Sequence, residues 1–299
     1  MNPQQLISPT VLANSTWSVI VKNWKILLGI PAVLFATGII VMILFSVSIF
    51  SHSIILMIVC ALLYLSIVIL GIALYPALIN TIHRISTESS PALTIKGQYR
   101  FGFSIFWSFL LLMIISVFIA YGSLALLIVP GIIFGVYTAF SLFALVVDGK
   151  KGFEALLESY SLVKGRWWAV FGRIAFLALV AAGMFICYGI AVFIISFVTS
   201  SIMPAQMSAF IPMVLMITME IIILSFSIVY LYQLYSSLKL TRQIDVQISS
   251  AKPWLVAFMI IGIVVAIAYI SIVAVTVNSG FNQMSQSVHY QTQINHNNF

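Results

Sequence analysis

Ionic side chains are almost missing from this 299-residue chain: 13 basic and 6 acidic groups make up 6% of it, against 63% apolar residues. A soluble domain carries about 25% charge. Together with a mean hydropathy of +1.19, this scarcity excludes an aqueous setting for most of the polypeptide. Cysteine is scarce too. Cys60 and Cys187 both sit within apolar runs, so no disulfide framework is expected. Of the four histidines, His52 falls in a predicted turn, His83 beside Arg84, and His289 and His296 in the polar tail. None has ligand spacing to Cys, Asp or Glu, so no metal site is expected. The chain also lacks a glycine-rich phosphate loop and a nucleophile elbow. No acid–base pair, catalytic residue or cofactor site emerges, and the expectation is a protein that is not an enzyme. No signal-peptide cleavage site follows the first apolar run, and no basic residue precedes Lys22.

What the chain does have is long apolar runs. After Lys22 and Lys25 no ionic residue occurs until Arg84, and after Lys96 and Arg100 none until Asp148. Between Arg173 and Lys239 the one ionic residue is Glu220, and beyond Lys252 there is none. A spanning helix needs about 20 apolar residues, and no run shows the alternation of a membrane β-barrel. The predicted fold class is therefore an all-α polytopic membrane protein with seven spans. They run over Ile26–Phe50, Ile54–Leu78, Phe103–Leu127, Pro130–Val147, Phe171–Phe197, Met213–Tyr235 and Trp254–Val277, with the third turn somewhere in Tyr121 to Pro130. The expected organisation is a six-helix membrane domain over 1–252, an additional helix over 253–277 and a disordered polar tail over 278–299.

All thirteen Lys and Arg fall on the N-terminal flank and on the second, fourth and sixth connections with the helix ends beside them. Basic residues in short loops stay on the cytoplasmic side. The N-terminus is thus expected in the cytoplasm and the C-terminus outside, in the cell membrane. All six Trp lie near the same predicted ends, where an indole suits the headgroup layer. The net charge of +7 then belongs to one face, and anionic lipid on the cytoplasmic side is its expected partner, not nucleic acid. Asn14-Ser15-Thr16 matches a glycosylation acceptor but lies on that inner side.

A short pattern recurs ahead of the apolar hairpins: Val21-Lys22-Asn23-Trp24, Ile95-Lys96-Gly97-Gln98-Tyr99 and Val163-Lys164-Gly165-Arg166-Trp167. Parallel repeats of an interfacial segment plus two spans explain it, and so does the rule that places Lys beside aromatics at every inner end. Ser8-Pro9 predicts a helix start, after which Ala13, Trp17, Ile20, Val21 and Trp24 share one face. After Asp148, a candidate cap, an apolar stripe runs through Phe153, Leu156, Leu157, Tyr160 and Val163. Two readings fit such helices: they lie in the interface, or they pack on the ends of their neighbours.

Glu220 is the sharpest anomaly. An acid at helix centre costs roughly 2.5–3.5 kcal/mol on the insertion scale. The twelve Ile, Leu, Val and Phe of Met213–Tyr235 return roughly 4–7 kcal/mol, so this helix can carry the acid. An intramembrane acid is a functional candidate by default; the competing reading is structural, with the acid hydrogen-bonded to a neighbouring helix. Thr218 and Ser225 stand nearby in sequence. The second candidate group is an interfacial motif of Asp148, Glu154, Ser159, Lys164, Gly165 and Trp167.

That motif belongs to a stretch, Ile128-Val129-Pro130-Gly131-Ile132, Val147-Asp148, Glu154-Ala155-Leu156 and Glu158 to Trp168, that resembles a known family. It is similar to the membrane domain found beside some bacterial glycerophosphodiester phosphodiesterases, and to related multi-pass proteins of bacteria and archaea. Trp17 to Leu28 resembles the opening of that domain and Tyr230 to Lys239 its close. The resemblance implies a six-helix membrane domain without the soluble catalytic domain of those relatives. The functional expectation is a scaffold, protein-partner or lipid-interacting module; the alternative is a small transporter or permease with a polar route around Glu220. Polar side chains converging on Glu220 would favour the second, and a closed apolar interior the first.

Overall fold

The computed structural model describes residues 6–51, 53–88, 92–126, 128–200, 210–241 and 251–297, and among them no strand occurs. The helices are α1 (Pro9–Lys22), α2 (Trp24–Leu27), α3 (Gly29–Phe50), α4 (Ile54–Thr87), α5 (Ile95–Ser104), α6 (Phe106–Leu126), α7 (Ile128–Thr138), α8 (Ser141–Asp148), α9 (Phe153–Val163), α10 (Trp167–Ser200), α11 (Phe210–Leu240) and α12 (Ala251–Asn297). Seven stretches of the described residues are long and apolar enough to cross a bilayer: Trp24–Ile49, Ile54–Thr87, Phe106–Ala125, Ile128–Asp148, Trp167–Thr199, Val214–Leu240 and Lys252–Ser279. The multi-pass helical class read from hydropathy is the class observed. His52, the fifth connection (201–209) and most of the sixth (242–250) lie outside the described residues.

The chain divides into two compact units, and the division does not follow the boundary expected near 252. One unit holds Met1–Met113 and Val136–Ile248; the other holds Ile114–Gly135 and Ser249–Phe299. In the first, α3 packs on α4, α10 on α11, α1 on both α10 and α11, α5 on α4, and α9 on α8 and α11. Its core lies toward one end of the long helices. Buried residues concentrate in Ala73–Ile82 of α4, Val229–Leu238 of α11, and Leu27 and Ile30 at the start of the first span. This is the end that carries Lys22, Lys25, Arg84, Lys96, Lys164 and Lys239, called the basic end below. Toward the other end apolar side chains face outward, as with Ile55, Leu62, Ile186 and Phe193. In hydrocarbon such exposure carries no hydrophobic penalty, because lipid tails are as apolar as the side chains.

The second unit joins the end of α6 to α12 through two glycines. A Cβ on Gly122 would fall on the Phe258 carbonyl oxygen, and one on Gly262 on the Phe118 carbonyl oxygen. Only hydrogen side chains allow backbones this close. Phe134 and Phe258 add a ring contact at 4.2 Å. The helix continues from Ala251 through Asn297, so the polar tail expected to lack structure extends α12 instead of ending it at Val277. The Asn, Gln and Ser of this stretch do not bar α-helical backbone bonds, which are satisfied locally without a packed face.

Helix starts refine two expectations. Pro9 does occupy the first turn of α1, but the Ser8 hydroxyl caps no backbone amide. Asp148 does not cap α9; Gly152 stands at that position, and Asp148 closes α8 with Gly149 following at φ 68. In α1 one stripe packs on the neighbouring helices, with Leu12, Thr16 and Ile20 buried, while Trp17 and Val21, and Trp24 at the start of α2, are 53–55% exposed along the adjoining stripe. The α9 helix is of the packed kind, with Leu156, Leu162 and Val163 fully buried.

Candidate functional site

The fourth span is broken at Ala139 and Phe140, between α7 and α8. A helix break leaves backbone groups without ladder partners, and buried ones cost about 1–3 kcal/mol each when unpaired. Ser159, reaching across from α9, serves both sides of the break. The Phe140 N–H donates to Ser159 Oγ at 3.1 Å, and Ser159 Oγ donates to the Tyr137 carbonyl at 2.6 Å. The motif serine is thus a backbone splint.

Asp148 ends the same broken span. Tyr235 and Lys239, one helical turn apart on α11, both turn to its carboxylate. The Tyr235 hydroxyl donates to one oxygen and the Lys239 ammonium to the other, each at 2.5 Å. The carboxylate is 14% exposed and the lysine 39%. The Tyr235 ring lies against Phe143 with centroids 5.7 Å apart, and Lys239 Nζ sits 5.8 Å from its centroid. One turn earlier on α11, Tyr232 shares a 2.9 Å hydrogen bond with His83 Nδ1 of α4. Gln233 accepts from Ser15 at 2.6 Å and from Thr16 at 3.3 Å, tying α1 to α11. Asn80 of α4 donates to the buried Gln98 of α5 at 2.9 Å.

Two arginines fasten the segments that flank α9 and precede α1. Arg166 donates to the carbonyls of Leu162, Leu238 and Thr241 and to the Thr241 hydroxyl, so it closes the C-terminal ends of α9 and α11 together. A cation there complements both helix dipoles. Burial pulls its guanidinium below the ordinary arginine range. Arg173 donates to the carbonyls of Leu6 and Ile7, holding the chain just ahead of α1.

The remaining motif residues do not converge on one point. Gly165, at φ 80, makes the turn into α10 in a conformation that L side chains rarely adopt. Lys164 Nζ lies 5.8 Å from the Tyr160 ring centroid, and Trp167 stacks on Phe171 at 5.0 Å with a 7° interplanar angle. Glu154 is exposed in the first turn of α9, where a negative charge suits the dipole. The motif therefore contributes to the frame of the basic end: Asp148 engages α11, Lys164 lies beside an aromatic ring, and Glu154 stays exposed at a helix terminus. Sequence reading missed Tyr232, Tyr235, Gln233, Lys239 and His83 as members of this frame. Their one signal was a cluster of polar groups in the last turns of an apolar span.

Around the frame lies an outward basic surface. Lys22, Asn23, Trp24, Lys25, Ile26 and Leu93 line a cleft of about 420 Å³ where α1 breaks into α2. Lys25 Nζ is 6.0 Å from the Trp24 ring centroid.

Glu220 stands apart from this end, half-buried on α11. Its expected neighbours turn elsewhere: Thr218 donates to the Val214 carbonyl of its own helix, and Ser225 to the Leu27 carbonyl at 3.0 Å. The side chain within electrostatic reach is Tyr188 of α10. No family model matches the chain, and no curated protein or solved structure is significantly similar to it.

Proposed function

We propose that this is a non-enzymatic integral protein of the cell membrane whose basic end faces the cytoplasm and binds anionic lipid headgroups. The observation that carries the reading is the surface of α1 and α2. Trp17, Val21 and Trp24 form an outward apolar stripe directly beside exposed Lys22 and Lys25. An indole at headgroup depth, flanked by ammonium groups, suits a phosphate above and acyl chains below. Hydrogen bonds from Ser15 to Gln233, and from Arg173 and Arg166 to backbone carbonyls, brace the helices behind it, so the surface is preorganised. The resemblance of residues 128–168 to the membrane domain found beside some phosphodiesterases is consistent with a membrane module of this kind.

The test is lipid selectivity in reconstituted membranes, read by spin-labelled phosphatidylglycerol against phosphatidylcholine. Each basic residue near the surface is worth about 1 kcal/mol, or about fivefold. The expected outcome is a several-fold preference for the anionic lipid that falls when Lys22 and Lys25 are both changed to Gln. Equal retention of the two lipids by the unaltered protein rules the reading out. Thiol labelling of Lys150→Cys from the cytoplasm and of Asn278→Cys from outside marks the expected orientation; the swapped pattern reverses it, and labelling of both from one compartment overturns the threading.

One observation favours the alternative of a small permease. Glu220 lies within electrostatic reach of Tyr188 on the neighbouring helix, a polar pairing within the spans that a scaffold does not need.

A further inference from the structure

In the halves remote from the basic end, α10 and α11 line a cleft of about 360 Å³ formed by Phe185, Tyr188, Gly189, Val192, Pro212 and Met216. Its walls are apolar apart from one phenol. Pro212, Met216 and Glu220 recur every four residues and so share one face of α11, which sets Glu220 about 6 Å beyond Met216, toward the middle of the span. The Tyr188 hydroxyl is shut off from solvent and has no hydrogen-bond partner among the described residues. Glu220 acts electrostatically on that same phenol. No internal cation answers the acid. Between Arg173 and Lys239 neither helix has a basic residue. Arg173 is level with Tyr230, whose hydroxyl it receives on its carbonyl, and ten residues of helix put that level about 15 Å from Glu220. Its guanidinium is engaged by the carbonyls of Leu6, Ile7 and Ala169.

An acid and an unpaired phenol at the edge of an aromatic cleft form half of an interaction. A lipid tail would fill the volume but leave both polar groups unanswered. An anion would meet the acid with like charge. A molecule with an apolar body and a positive centre satisfies every wall: apolar contact with Val192, Pro212 and Met216, ring faces from Phe185 and Tyr188, and a counter-charge from Glu220. The volume lies at the small end of ligand pockets, enough for a few rings.

We propose that this cleft binds apolar organic cations from the hydrocarbon layer, with Glu220 as counter-ion and Tyr188 as orienting group. The site is separate from the basic end, and its test does not depend on headgroup binding. The full chain in lipid nanodiscs is titrated with radiolabelled tetraphenylphosphonium and with tetraphenylborate, which has the same shape and the opposite charge. Saturable binding of the phosphonium is expected, weakened at least tenfold by Glu220→Gln and several-fold by Tyr188→Phe. Gly189 has open space at its Cβ position, so Gly189→Leu fills the cleft without touching either polar group and should also abolish binding. This second variant decides the matter should Glu220→Gln fail to fold. Phosphonium binding that survives Glu220→Gln or Gly189→Leu, or equal uptake of both ions by the same cleft, overturns the proposal. Retention of spin-labelled lipid with no phosphonium binding assigns the cleft to acyl chains and overturns it as well.

Discussion

The amide of Phe140 and the hydroxyl of Ser159, nineteen residues apart and on different helices, are joined by a 3.1 Å hydrogen bond at the break in the fourth span. Phe140 is fully buried, so its N–H has no recourse to water. Ser159→Ala removes this partner and is expected to cost about 1–3 kcal/mol. The readout is thermal unfolding in detergent. Ser159→Thr, which keeps the hydroxyl, should recover part of the loss; an alanine variant as stable as the parent would show that the break closes on itself.

Tyr235 and Lys239 meet one carboxylate but in different surroundings. The tyrosine is almost wholly buried, whereas the lysine ammonium stands half in solvent. Tyr235→Phe should therefore cost about 1.5–3 kcal/mol, the range for a hydrogen bond to a charged group. Lys239→Met should cost no more than about 1 kcal/mol. Denaturation of the two single variants and the double variant measures the order. A lysine variant less stable than the phenylalanine one would reverse the assignment of the anchor.

Tyr99 of α5 donates to the Ile30 carbonyl at 2.8 Å, which docks the second interfacial helix against the first span. Burial pushes its phenol up to about 12 from 10.0. A folded pKa above the unfolded one favours the protonated, folded form. This contribution is complete below pH 10.0 and is lost as pH rises toward about 12. Alkaline titration of the melting temperature should show that decline, and Tyr99→Phe should remove its share. An unchanged alkaline limb in the variant would exclude Tyr99 as its source.

Gly122 and Gly38 make a paired control. The first would place a Cβ on the Phe258 carbonyl oxygen, and the second has nothing within 4 Å. Gly122→Ala should destabilise the pairing of α6 with α12 by about 1–3 kcal/mol or more, since backbone must move. Gly38→Ala should be neutral or gain up to about 1 kcal/mol from helix propensity. Crosslinking yield between cysteines introduced on α6 and α12 follows the pairing directly; equal yields in both alanine variants would count against close glycine contact.

The residues that sequence reading recovered are those whose energetics are local. Glu220 could be located within a span and Gly165 beside a turn without knowing any neighbour. The break at Ala139 and Phe140 could not be read, because no proline marks it and the serine that supports it lies on the next helix. Asp148 was read as a cap because it precedes an apolar stripe, but across-chain partners on α11 claim the carboxylate first. Ile95–Ser104, in the second interfacial segment, is also a helix, started by the Thr94 hydroxyl accepting from the Gly97 amide at 3.2 Å.

Hydropathy alone set the number of spans and the segregation of basic residues to alternate connections. Transfer from water to hydrocarbon is a sum over single residues, largely indifferent to what they later touch. Tertiary structure alone decided which polar groups meet. Ser159 with Phe140 and Asp148 with Tyr235 are joined across helices, and Tyr188 is set within electrostatic reach of Glu220, on spans that are almost uniformly apolar. In such a chain no amphipathic stripe announces the contact, and the rotation of each helix about its axis, set by packing, determines which polar side chains face one another.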